Sequence, residues 1–391
     1  RIYAHSFFNS KDLPFLSMVI ITLALCQIAF EKNKPVWFLL LGLACGYATS
    51  IRIMGIMIAG FVLFFLLIDL INNAKKKEKI NAQLLGMVLF SIGFCFLLYI
   101  SWPYLWKGPV KTFAESFGRM SHYDWMGGVL LQGQTLLSDK PLPWTYFPIW
   151  FFISNPPLWL LLGFGGVVMA VIAMVKNPLQ FLQNTKERNL LLYLMCFAVP
   201  IFAVIVLKSV IYDDWRHLYF VYPAFVFLGI YGISKFIDGK YKLFIQIACG
   251  IQVALVAFFM VSNHPFSQVY INSFVSHEEE FIRKNYDMEY WGCSHKQALD
   301  YLTTTYPTGP IKVCVIYRTP LDNNIMMLPK DQRERIVFEK EATKADFFIT
   351  NFRLHPDDFP STNIEYEIQV LNSTIMRIYN MHPKQVGIPR Q

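Results

Sequence analysis

Two stretches of the 391-residue chain set basic and acidic side chains beside long apolar runs: Lys11–Asp12, and Ile-Tyr-Asp-Asp-Trp-Arg-His from Ile211 to His217. Arginine and lysine at a membrane surface can hold the phosphate of a lipid head group through charge-assisted, often bidentate hydrogen bonds. A neighbouring carboxylate can take the proton of an incoming hydroxyl or amine. On this chemistry Lys11, Arg52, Arg216 and His217 are candidate phosphate ligands, and Asp12 and Asp213 are candidate catalytic carboxylates. His122, Asp124, Trp125, Trp144 and Tyr146 are candidates for the wall of an outward-facing substrate groove. The competing account is that charges at helix ends are anchors that snorkel to the interface. It explains Lys11 or Arg52 alone as well as binding does, and it explains Arg216–His217 beside two acids less well.

The elements that must position these groups are membrane helices. The chain is 54% hydrophobic and only 16% charged, with mean hydropathy +0.37, against roughly 25% charged in soluble domains. Eight uncharged stretches approach the roughly 20 apolar residues that a spanning helix needs: 13–30, 36–51, 53–68, 84–100, 158–175, 189–207, 218–234 and 243–263. The second and third are short and separated by Arg52, which predicts either two short helices or a re-entrant hairpin. The fold class expected is an α-helical polytopic membrane protein with about eight spans and a small C-terminal α/β domain. The division is a membrane domain over 1–263, with a long outer loop at 101–157, and an extracytoplasmic domain over 264–391.

Charge sets the orientation. The tail after Asn263 holds 14 basic and 16 acidic residues, which leaves 21 basic and 11 acidic in the membrane part. The basic excess therefore reads as a topology signal and not as nucleic-acid binding. Taken alternately, the short connectors carry 12 Lys and Arg and the longer ones 9. The short set is cytoplasmic by the positive-inside rule, which puts 1–12, 101–157 and everything after His264 outside. In the long loop, Val110–Met120 has the spacing of an interfacial helix. Pro141–Pro157 is uncharged and aromatic, with prolines that argue against one straight helix, and is expected at headgroup depth. Arg1–Asp12 is a polar loop with no signal peptide, and the expectation is a chain that continues upstream.

The tail has an α/β pattern. Ser294–Thr304 reads as helix, Ile311–Tyr317 and Ala345–Thr350 as strands, and Glu365–Val370 with Thr374–Tyr379 as a hairpin about Leu371–Ser373. Cys293 and Cys314 are the tail's two cysteines, and sequence alone does not put them within bonding distance. No metal-ligand spacing, P-loop or nucleotide fingerprint is present. No cofactor is called for, and the sequence leaves a divalent metal open.

Four segments, in order, carry a family resemblance: RIYAHSFFNSKDLPF (Arg1–Phe15), GQTLLSDKPLPWTYFPIWFFISNPP (Gly133–Pro157), YDDWRHLYFVYP (Tyr212–Pro223), and HPFSQVYIN (His264–Asn272) with EYWGCSHKQALDYL (Glu289–Leu302). The chain resembles bacterial GT-C glycosyltransferases of the phospholipid-carrier-dependent group: family 39, the protein O-mannosyltransferases and the aminoarabinose transferases. Asp214 stands where the family pattern has Gly, and Glu289 where it has Asp.

The resemblance implies an inverting transfer of a sugar from a polyprenyl-phosphate carrier to a lipid, glycan or protein acceptor. The place implied is the outer face of a bacterial inner membrane, with the tail periplasmic. It implies that Asp12 is a secondary acidic site, that Lys11, Arg216 and His217 meet the donor phosphate, and that the principal base lies upstream of Arg1. The alternatives are a transporter or flippase for a lipid-linked substrate and a non-catalytic assembly protein. A transporter would place ionisable groups or broken helices near mid-membrane, often in repeated halves; here the charges gather at one surface.

Overall fold

The computed structural model describes all residues except 78–79, 122–124, 126, 138–139, 238, 362 and 383–391. His122 and Asp124 thus lie outside the described residues. Among those described, seven helices are long and apolar enough to cross a membrane, and Pro35–Ile51 is a shorter apolar one. The chain is a polytopic α-helical membrane protein with a small C-terminal sheet domain.

The membrane helices are α1 (Asp12–Lys32), α2 (Pro35–Ile51), α3 (Ile56–Lys75) and α4 (Asn81–Ser101). The long loop follows, with α5 (Pro109–Ser121) and α6 (Tyr146–Ser154), then α7 (Pro157–Lys176), α8 (Thr185–Val206), α9 (Tyr222–Ser234) and α10 (Lys242–Ser262). The second apolar pair resolves into two helices hinged at Arg52, whose backbone is extended. A single 3-10 turn (Ile53–Gly55) then leads into α3. At 17 residues, α2 is about 25 Å long.

Glycine lets two helix pairs approach closely. A Cβ on Gly42 of α2 would stand 2.1 Å from the Phe90 carbonyl oxygen of α4, and one on Gly166 of α7 only 1.9 Å from that of Leu228 in α9. Small residues at crossings are how membrane helices gain contact without a hydrophobic drive between them. At the end of the bundle remote from the tail, Arg188 of α8 makes a bidentate pair with Asp69 of α3, at 2.7 and 2.6 Å. It also lies over the rings of Phe30 and Phe65. Its expected role as an exposed topology charge is thus joined by a buried one that ties three helices together.

In the long loop, burial divides the aromatic side chains. Tyr146, Phe147, Trp150 and Phe151 of α6 are all buried. They pack against Trp215 and Tyr286, so they face protein and not lipid head groups. Trp144 and Phe152 of the same stretch are exposed, so it turns some rings into protein and leaves others outside. The break foreseen from the prolines is real: α6 ends at Ser154 and α7 starts at Pro157.

Two strands, β1 (Gly128–Leu131) and β2 (Gln134–Leu137), form an antiparallel hairpin that the sequence reading had not foreseen. Its turn uses Gln132 and Gly133, both at positive φ. The Leu130 amide donates to Asp287 of the tail at 2.8 Å.

In the tail, α11 (Ser294–Thr305) precedes β3 (Ile311–Val315), α12 (Arg318–Ile325), β4 (Ile336–Phe338), β5 (Phe347–Thr350), β6 (Ile364–Val370) and β7 (Ser373–Asn380). The sheet order is β4-β3-β5-β7-β6. β3 pairs in parallel with β4 and β5, and β7 is antiparallel to β5 and β6. The hairpin between β6 and β7 turns on Leu371 and Asn372, at φ 53° and 56°, the two left-handed residues of a tight primed turn. Cys293 and Cys314 are free thiols, one beside the start of α11 and one inside β3.

The tail is stitched to the membrane part. Asn272 Nδ2 donates to the carbonyls of Phe152 and Asn155, both at 2.6 Å, and its amide to that of Ile153 at 2.8 Å. This one residue occupies the orphan carbonyls at the end of α6, groups every helix must satisfy.

Candidate functional site

A cavity of about 610 Å3 opens at the tail end of the bundle. Its wall comes from five places: Phe8–Lys11 ahead of and at the start of α1, Ile51, Arg52 and Met54 at the α2–α3 hinge, Met120 of α5, Val204 of α8 with Ser209–Tyr212 and Arg216–Leu218 after it, and Trp291 of the tail. Lys11, Arg52, Arg216 and His217 all stand on this wall, beside the apolar side chains of Ile51, Met54, Met120, Ile211 and Leu218. One cavity therefore combines a cationic region with a greasy one.

The carboxylates lie behind the cations. Asp12, at 2% exposure, forms ion pairs with Arg52 and, at 3.2 Å, with Arg216. It also accepts from Asn9 Nδ2 at 2.7 Å. Asn9 Oδ1 in turn accepts the Asp12 amide, the first N–H of α1, at 3.0 Å. Asp213 spans Arg216 at 3.2 Å and Arg353 at 2.8 Å. The charges thus alternate along a chain: Arg52, Asp12, Arg216, Asp213, Arg353. Asp12 and Asp213 are buried and spoken for, and they align the cations. Neither is on the cavity wall.

Asp213 and Asp214 have φ of 56° and 63°. This left-handed backbone explains why glycine suits the second position of the motif, because glycine adopts it without cost and aspartate tolerates it. Asp214 has a task that glycine could not perform. Its fully buried carboxylate accepts from Arg1 Nη1 at 2.8 Å, Tyr290 Oη at 2.7 Å and Tyr219 Oη at 3.2 Å. Burial pushes its proton affinity up, against the pull of Arg1 and the tyrosine hydroxyls. His5 sits between this group and Asn9, with Nε2 near Tyr219 and Tyr290 and Nδ1 at 3.2 Å from Asn9. Burial, followed by nearby positive charge, holds its pKa well below the usual imidazole value.

Four buried nitrogens on the wall residues have no hydrogen-bond partner among the described residues: Arg52 Nε, Arg216 Nε, His217 Nδ1 and Trp291 Nε1. Leaving such a group unpaired costs about 1–3 kcal/mol. Lys11 is exposed at the cavity mouth, and among the described residues its ammonium forms no ion pair. Counting Arg1, Lys11, Arg52, Arg216 and Arg353 against Asp12, Asp213 and Asp214, cations outnumber anions by two. This excess and the orphan nitrogens fit an anionic guest.

Not every candidate is at the cavity. Tyr146 is buried in the core and Trp144 is exposed, and neither lines the cavity. Both belong to the aromatic segment of the long loop, Tyr146 on its inward side and Trp144 on its outward side. Trp125 lies one layer back, stacked on Tyr212 at 4.4 Å with 7° between the rings. Sequence reasoning missed Trp291 and Arg353. The first was inside a quoted motif, but only packing shows which way its ring faces; the second follows β5 with no motif around it. Among the described residues, no group of three or more His, Cys, Asp and Glu is arranged to hold a metal ion. Among the described residues, Asp12 and Asp213 are paired with guanidinium groups.

Comparison with known proteins bears on one part of the chain. A family model described as dolichyl-phosphate-mannose-protein mannosyltransferase matches residues 1–98. The first quarter of the chain is similar to that family. The match contains Lys11, Asp12 and Arg52, and it indicates a membrane glycosyltransferase of the GT-C type. No curated protein and no solved structure matches the chain. Arg216, His217 and the tail lie beyond the matched residues, so their link to the site rests on the geometry above.

Proposed function

We propose that this chain is an inverting glycosyltransferase that takes a sugar from a polyprenyl-phosphate carrier and passes it to an acceptor at the outer face of a bacterial inner membrane. The observation that carries the reading is the cavity itself: Lys11, Arg52, Arg216 and His217 beside an apolar wall, with unpaired nitrogens and surplus positive charge. A polyprenyl-phosphate sugar has the matching halves, a phosphodiester head and a hydrocarbon tail.

The chemistry follows from charge. An acceptor oxygen or nitrogen forms a bond to the anomeric carbon as the bond from that carbon to the phosphate oxygen breaks. The acceptor's proton passes to a base, and the leaving phosphate goes from one negative charge to two. Cations fixed around that oxygen bind the departing group more strongly than the substrate, which lowers the barrier. Arg216 is held at its position before substrate arrives, so little reorganisation is needed. No carboxylate lies on the cavity wall among the described residues, so the wall accounts for the donor half of the reaction.

Lys11 gives the cleanest test. Among the described residues it has no ion-pair partner to strand, so Lys11→Ala should weaken polyprenyl-phosphate binding by about tenfold and leave the thermal midpoint unchanged. Binding measured on the protein in nanodiscs checks this, and equal affinity in wild type and variant would count against the reading.

A further inference from the structure

The Arg216 guanidinium is held on four sides. Asp12 and Asp213 each contact it at 3.2 Å. It lies over the ring of Tyr212 at 4.9 Å and over that of Trp291 at 5.2 Å. Two of these four supports depend on the C-terminal domain. Trp291 belongs to it. Asp213 is gripped from its other oxygen by Arg353 Nη2 at 2.8 Å, and Arg353 Nη1 donates to the Tyr290 carbonyl at 2.7 Å. Tyr290 is the residue before Trp291. The contacts therefore close a ring: Arg216 to Asp213, to Arg353, to the Tyr290 carbonyl, along the backbone to Trp291, and back to Arg216.

From this ring we infer that the C-terminal domain sets the position of the donor-site arginine, with Arg353 and Trp291 as its positioning residues. Neither needs to touch the phosphate. Arg353 fixes Asp213, which sits in a left-handed backbone and would otherwise share its charge with solvent. Trp291 gives the guanidinium a second aromatic ring besides Tyr212, at 5.2 Å. An arginine in contact with two aromatic rings and two carboxylates has few other orientations. Residues that share such a network couple in binding energy, and residues that do not share one simply add.

The inference rests on the proposed donor site, and the test separates the two. Affinity for a soluble short-chain polyprenyl phosphate is measured on the full-length protein in nanodiscs. The variants are Arg353→Ala, Trp291→Leu and Arg353→Lys, each in the wild-type and Arg216→Lys backgrounds. The expected result is a loss on the order of tenfold for Arg353→Ala and for Trp291→Leu, partial recovery in Arg353→Lys, and little further loss when Arg216 is already lysine. A loss of equal size in both backgrounds, or none in the wild-type background, overturns the inference and leaves the donor site standing. If wild type binds no polyprenyl phosphate, the donor site and the inference fall together.

Discussion

At the residue scale, the sequence showed which side chains could meet a phosphate but not which carboxylates were free. In the sequence Asp12 follows Lys11 and Asp213 lies three residues before Arg216, and this suggested acid–base work. In the structure each carboxylate bridges two guanidinium groups. A bridging carboxylate orients its cations, and this gives a distinct expectation for Asp12→Asn: weaker donor binding through Arg52 and Arg216. Equal loss of turnover at every donor concentration, with unchanged affinity, would instead mark Asp12 as the base. Two acids of the tail give a pH prediction. Burial pushes Asp287 and Glu289 up to about 7. The folded state therefore keeps their protons where the unfolded chain has released them, so the contribution to stability is full below the ordinary carboxylate range and is lost as pH rises towards 7. Glu289 accepts from Ser294 Oγ at 2.6 Å and from the amides of Cys293 and Ser294 at the start of α11. Glu289→Gln should flatten the fall of the thermal midpoint between about pH 4 and 7, which a pH series of melting curves would show.

At the element scale, hydropathy located the membrane helices well, because burial in lipid imposes a length and a composition that need no neighbours. It could not say how helices meet. The close crossing of α2 and α4 depends on Gly42, whose absent side chain is invisible to a hydropathy sum. Gly42→Leu must displace backbone and not merely a flexible side chain, and should cost about 3 kcal/mol. The readout is the thermal midpoint in detergent, compared with Gly60→Leu, where nothing lies within 4 Å. The tail hairpin was legible for a local reason, alternation around a two-residue turn. The β1–β2 hairpin was missed because its two strands are only four residues each and it is held by Asp287, more than 150 positions away. The aromatic loop was read as interfacial because composition alone does not distinguish a ring facing lipid from one facing a covering domain.

At the scale of the whole molecule, three distant segments, the start of α1, the α2–α3 hinge and the run after α8, converge with a tail residue on one cavity. Sequence placed the first three on the same side through alternation of the loops. It did not say how the tail would meet the site; in the structure Trp291 of the tail is on the cavity wall. The family match stops at residue 98, so the cavity's unity across the chain is a structural result. The catalytic account rests on Arg216 stabilising the departing phosphate. The most direct test uses a radiolabelled polyprenyl-phosphate sugar with the full-length protein in proteoliposomes, and follows release of the lipid phosphate by wild type and Arg216→Ala. Asp12 and Asp213 each keep another arginine in the variant, so the fold should survive. The account predicts release by wild type and a fall of about a hundredfold or more in the variant. Equal release from a correctly folded variant would contradict it.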